Sequence, residues 1–158
     1  MKRFLTLLLL AAVVVLGCTP ITIETQAKVI RVIDGDTIEI AGGAHVRYIG
    51  MDTPEIYPEV EFYGLEAKAK NAELVEGKLV TLEKDVSETD KYGRLLRYVY
   101  VNGVFVNGEL VRLGYARAVA YPPDVRYEWQ LEKLEKEAKA AKLGIWGEQS
   151  SPVEQPNQ

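Results

Sequence analysis

A chain of 158 residues with 19 Lys and Arg against 23 Asp and Glu is one domain's worth of sequence, with a net charge of −4 that falls to about −6 once Lys2 and Arg3 at its start are set aside. That balance is not the footprint of a tight, non-specific nucleic-acid binder, so any polyanion site has to be a local positive pocket on an acidic body. The only His is His45, the only Cys is Cys18, and Ser occurs only at Ser87, Ser150 and Ser151. Ser-His and Cys-His relays, paired-histidine mechanisms and disulfides are therefore excluded, leaving carboxylate, Arg, Lys, Tyr and any metal the carboxylates hold.

Residues 1–17 open with Lys2 and Arg3, continue through a long apolar run and end Val15-Leu-Gly before Cys18. This is the pattern of a secretory signal, too short for a comfortable membrane span. A small residue before a lone cysteine resembles a bacterial lipobox, which implies lipid on Cys18 and a chain anchored outside the cell membrane or to the outer membrane. A plain secreted protein cut nearby is the alternative. Residues 18–26 read as a polar tether, 27–148 as the folded domain, and 149–158, rich in Pro, Gln and Ser, as a disordered tail.

Val29, Ile33, Ile38 and Ile40 frame a β-rich run that Asp34-Gly35 interrupts with turn chemistry, giving strand, turn, strand. A third strand covers 44–49, and 51–55 leaves it as a loop because Pro54 pushes its predecessor into an extended conformation. His45, beside a Gly-Gly-Ala turn, reads as a solvated loop residue. Residues 63–76 suit a helix with Leu65, Ala69, Ala72 and Val75 or Glu76 on one face and Gly77 as its C-cap. Residues 78–84 alternate as a half-buried strand, 95–101 form another, and Asn102-Gly103 turns it into a short return through Val104 and Phe105. Asn107 is the expected N-cap of a second helix ending at Gly114. After an extended segment over 115–121 and the Pro122-Pro123 turn, Asp124 is the expected cap of the longest helix. Its apolar stripe is Tyr127, Leu131, Leu134, Ala138 and Ala141. Five short strands with helices inserted late suit a small Greek-key barrel; the pattern alone leaves open an OB-fold or a neighbouring small α+β barrel.

Three stretches carry the chemistry. Asp34, Asp36 and Asp52 are each, taken singly, ordinary turn residues. Together, near strand ends, such carboxylates can share a hard cation such as Ca2+, which takes oxygen ligands in flexible geometry. Asp34-Gly-Asp-Thr37, the run from Arg47 to Glu55 ending Asp-Thr-Pro-Glu, and Asp90-Lys-Tyr-Gly-Arg94 stand in this order. In all three the chain resembles the staphylococcal nuclease (thermonuclease) family, over roughly residues 27–148.

The resemblance implies an α+β, mainly β fold, a five-stranded OB-fold Greek-key barrel with three helices. It implies a Ca2+-dependent, sugar-non-specific nuclease that hydrolyses DNA and RNA, preferably single-stranded, to 3'-phosphate products, acting as a monomer. Asp36 and Asp52 would hold the metal through side chains and Thr53 through its carbonyl, with Asp34 close behind. Glu55 corresponds to the carboxylate proposed to activate or orient the attacking water. Arg47 and Arg94 would grip the scissile phosphate, since a guanidinium offers paired donors and cannot lose its charge. Lys91 and Tyr92 match contacts to the adjacent phosphate, and Tyr121 matches a ring at the nucleotide pocket, where stacking tolerates any base. Two rival readings use the same barrel: a catalytically inactive OB-fold module that binds single-stranded nucleic acid, and a lipid-anchored docking adaptor.

Overall fold

The computed structural model of the protein describes residues 24–147. In chain order the elements are β1 (Glu24–Val32), β2 (Thr37–Ile40), β3 (His45–Tyr48), β4 (Met51–Asp52), α1 (Gly64–Val75), β5 (Leu79–Glu83), β6 (Leu95–Val101) and β7 (Val104–Phe105). They are followed by α2 (Val106–Arg112), β8 (Arg117–Ala118), α3 (Glu128–Ala140) and a single 3-10 turn over Gly144–Trp146.

β1 serves two partners. Its first half pairs antiparallel with β5 and its second half with β2, and the register breaks between Val29 and Arg31 where the strand bends from one to the other. β2 continues antiparallel to β3, β5 to β6, and the parallel pairing of β3 with β6, Arg47 opposite Leu96, closes the ring. The order β1-β2-β3-β6-β5 is the closed five-stranded OB-fold barrel, in which every long strand has two neighbours and no bare edge remains. Val29, Ile38, Val46, Val80, Leu82 and Val99 fill it, and α2 and α3 close over it with Leu110 and Leu131.

Several expectations are corrected. β1 starts at Glu24, three residues inside the stretch read as a tether, because Glu24 to Gln26 find partners on β5. Residues 51 and 52 are not loop but a short strand paired with β8. His45 opens β3 with its Nε2 3.6 Å from Glu39 rather than sitting free in a turn. On α1 the buried face is Gly64, Ala67, Asn71 and Val75, while Leu65 is 57% exposed. A glycine and an asparagine hide the face from a reading based on apolar periodicity. Ala141 is exposed, so the α3 stripe ends at Ala138. On β5, read as alternating and half-buried, Glu83 too is buried, and it accepts from the Tyr127 hydroxyl and the Arg126 guanidinium. Neither predicted cap caps: Asn107 lies inside α2 and Asp124 four residues before α3, each bonded to another part of the chain.

Candidate active site

The turn after β1 and the strand-to-loop exit after β3 meet on one side of the barrel. Asp36 sits just before β2, 2% exposed, with its Oδ2 accepting from both the amide and the hydroxyl of Thr53 at 3.0 Å. Its Oδ1 accepts from Thr37 Oγ1 at 3.1 Å. Thr53 can come this close because residue 35 is glycine: a Cβ there would lie 2.5 Å from Thr53 Oγ1. Asp34 turns back on the same loop, its Oδ1 accepting from the Asp36 amide at 3.1 Å. Asn71 of α1 holds the loop from behind, donating to the Asp34 carbonyl at 3.2 Å and accepting from the Tyr48 hydroxyl at 3.0 Å.

Arg47 projects from β3 into this group and ion-pairs with Asp36 and Asp52 at once. Its side chain is only 13% exposed and that of Asp36 3%, so this pair lies away from bulk water, while Asp52 meets Arg47 from the solvent side at 41% exposure. Glu55 lies on the next loop, where its amide donates to Glu61 Oε2 at 3.0 Å and its carbonyl accepts from the Glu61 amide at 2.9 Å. Gly64, at the start of α1, packs so closely that a Cβ would lie 2.6 Å from the Glu55 carbonyl. Burial raises the Glu55 carboxyl above its ordinary pKa, and the negative charges of Asp34 and Asp52 raise it further. Burial likewise raises Asp34, against the pull of the Thr37 hydrogen bonds, Arg47 and Arg94. The predicted residues Asp34, Asp36, Arg47, Asp52, Thr53 and Glu55 thus form one electrostatic group.

A cleft of about 360 Å3 runs from Arg47 across Tyr48 and Ile49 to the third motif. Lys91, Tyr92, Arg94 and Tyr121 line it together with Asp90 and Asp124. The Tyr92 ring, 72% exposed, has Lys91 Nζ 5.0 Å and the Arg94 guanidinium 5.5 Å from its centre. Cations and aromatic faces therefore share one wall, and the predicted substrate residues stand beside the predicted catalytic arginines. Cys18, the predicted lipidation site, lies outside the described residues.

Two residues of the group were missed by sequence reasoning. Asp90, in the third motif but given no role, accepts from the Tyr92 and Arg94 amides at 2.9 and 3.0 Å and from Arg94 Nε at 2.6 Å. An Asp three residues before a glycine with φ +80° is the signature of a side-chain-stabilised turn, so a signal existed. Asn71 had none, since mid-helix asparagine usually points to solvent.

Among the described residues no three His, Cys, Asp or Glu side chains converge as a metal cage. What converges is Asp36 and Asp52 on Arg47, with the Thr53 peptide alongside. This set is all oxygen on the ligand side, the chemistry of a hard cation that completes its shell with water.

A family model described as staphylococcal nuclease homologue matches residues 45–148. The chain is 40% identical over 129 residues to the thermonuclease of Staphylococcus hyicus, 78% of this chain and 76% of that protein. It is 42% identical over 122 residues to the thermonuclease of Staphylococcus intermedius, 73% of each. To the SPbeta prophage-derived endonuclease YokF of Bacillus subtilis (strain 168) it is 44% identical over 124 residues, which are 73% of this chain but 42% of that relative. With the closed barrel, the Asp-Arg group and the cationic cleft in place, the chain belongs to the staphylococcal nuclease homologue family.

Proposed function

We propose that the protein is a nuclease that hydrolyses phosphodiester bonds of DNA and RNA, single strands by preference, with Ca2+ as its metal and 3'-phosphate products, and that it works as a monomer. The observation that supports this is the meeting of Arg47 and Arg94 along one cleft beside the buried carboxylate of Asp36 and the part-exposed carboxylates of Asp34 and Asp52. The relatives named thermonuclease and endonuclease support it independently.

Phosphodiester hydrolysis needs a water aimed in line, charge neutralisation on the phosphate oxygens and a leaving oxygen able to depart. Arg47 and Arg94 bind the phosphate oxygens and hold them through the transition state. In the free protein Asp36 and Asp52 occupy Arg47, so phosphate binding exchanges carboxylate partners for phosphate ones. Asp36 and Asp52, with the Thr53 carbonyl, are the residues that would hold Ca2+, which supplies Lewis-acid polarisation of the phosphate when bound. Glu55, its basicity raised by burial and neighbouring carboxylates, orients the attacking water or takes its proton. Lys91 and Tyr92 contact the neighbouring phosphate, and Tyr121 stacks on a base, which favours unpaired strands because paired bases hide their faces.

Location is part of the same reading. Lys2, Arg3, the apolar run and the lone Cys18 support export and a lipid anchor outside the membrane.

The test is digestion of single-stranded DNA by the fragment starting at Thr19, with Ca2+ and with chelator, beside Glu55→Gln and Arg94→Ala. Cleavage is expected to require Ca2+. Loss of the Arg94 donor is expected to slow it about 10²- to 10³-fold. Wild type that binds the strand yet never cuts it with Ca2+, Mg2+ or Mn2+ would replace the enzyme with a binding module.

A further inference from the structure

The two walls of the cleft are loops, not strands of a common sheet. One runs over residues 85–94 and delivers Lys91, Tyr92 and Arg94; the other, residues 121–126, delivers Tyr121. Among the described residues no β-ladder joins them; each has only an isolated bridge, Thr89 with Leu95 and Tyr121 with Asp124. Their separation is therefore not set by a backbone repeat.

What joins them is an exchange of carboxylate-to-amide bonds in both directions. Asp124 Oδ1 accepts from the Val86 amide at 2.9 Å and the Ser87 amide at 2.7 Å. In return Asp85 Oδ2 accepts from the Arg126 amide at 3.0 Å and from the Tyr98 hydroxyl at 3.0 Å. Asp124 is 4% exposed and also lines the cleft. Its own amide donates to the Tyr121 carbonyl at 2.7 Å, so the carboxylate that grips one wall belongs to the turn that presents the ring of the other. A carboxylate oxygen that accepts from two backbone amides makes bonds among the stronger and shorter in proteins, and these two are partly shielded from water.

We propose that Asp124 is the positioning residue of the nucleotide cleft, fixing the gap between Tyr121 and the Lys91-Tyr92-Arg94 wall so that one nucleotide meets a base-stacking ring and its phosphate contacts together. The inference rests on the nuclease reading for its ligand and adds a residue to it. Asp124 touches no reacting group in this account; it acts through Val86 and Ser87 on the wall beyond them. Its loss affects how well the strand is held, not the chemistry at Arg47 and Glu55.

The experiment compares wild type with Asp124→Ala, Asp124→Asn and Asp124→Glu. It measures kcat and KM on a short single-stranded deoxyoligonucleotide, Kd for a fluorescein-labelled strand by anisotropy, and thermal unfolding. Asp124→Ala is expected to raise KM and Kd about tenfold or more while kcat stays within about twofold, since a displaced wall weakens positioning. Asp124→Asn keeps an oxygen acceptor for both amides and is expected to stay within about threefold of wild type. If Asp124→Ala does not unfold cooperatively, Asp124→Glu decides, because it keeps the charge on a longer arm: raised KM with unchanged kcat supports the inference. Unchanged KM and Kd in the folded variant, or a fall in kcat alone, overturns it. Wild type that binds the strand without cutting it would sink the nuclease reading and leave the positioning role to be read from Kd. Wild type that neither binds nor cuts overturns both.

Discussion

Three donors converge on the Asp90 carboxylate, and the loop that presents Arg94 to the cleft depends on all of them. Burial pushes this carboxyl up, but the Arg94 guanidinium and the Tyr92 and Arg94 amides outweigh it, so its pKa in the folded protein lies below the ordinary 3.8. A carboxyl depressed on folding contributes stability that is present above its unfolded pKa and lost as pH falls through the folded one. Between pH 5 and pH 3 the urea midpoint of wild type is therefore expected to drop further than that of Asp90→Asn. Glu88 and Glu109, held low by Arg97 and Arg112, leave a smaller drop in the variant. Equal drops in the two proteins would show that the Asp90 turn does not sense its charge. The candidate site was largely legible at this scale, because Asp36, Arg47, Asp52, Glu55 and Arg94 are polar residues in recognisable turns. Asn71 and Asp124 were not, because their partners lie 37 or more residues away for Asn71 with Asp34 and for Asp124 with Ser87.

At the scale of elements, the barrel is closed by the parallel seam between β3 and β6, a pairing that no hairpin can enforce. Asn107 of α2 stitches this seam: buried, it accepts from the Val99 amide at 2.9 Å and donates to the Ile49 carbonyl at 2.9 Å. Asn107→Ala would leave a buried amide and a buried carbonyl without partners. It is expected to cost about 2 to 4 kcal/mol, read as a lower urea midpoint at unchanged slope. A loss under about 1 kcal/mol, the usual size for an exposed cap, would mean that Asn107 is the cap its sequence context suggested. Strand and helix identities followed from alternation, turn residues and glycine stops, so the order of elements was readable. The faces of α1 and the start of α3 were not, since Gly64 serves a close approach to the Glu55 carbonyl and Asn71 and Asp124 serve tertiary bonds, none of which local propensity reports.

At the scale of the whole molecule, an acidic body carries a small cationic cleft, and this limits how strongly long strands are held. With Arg47, Lys91 and Arg94 as the cations lining the cleft, about three phosphates are neutralised. The slope of log affinity against log salt for a long single strand is then expected near −2. A slope near −6 would reveal a basic track beyond the cleft and refute this picture. Composition and motif order by themselves determined the class of chemistry, because a chain with one His and one Cys must work with carboxylates and arginines. Alternation and turn residues likewise determined the run of strands and helices. Only the tertiary structure decided which carboxylates face Arg47, that Asp124 joins two loops instead of capping a helix, and that Asn107 and Asn71 serve the barrel and the site. Hydrogen bonds between residues far apart in the chain leave no periodic trace, so they become visible only when folding brings their partners together.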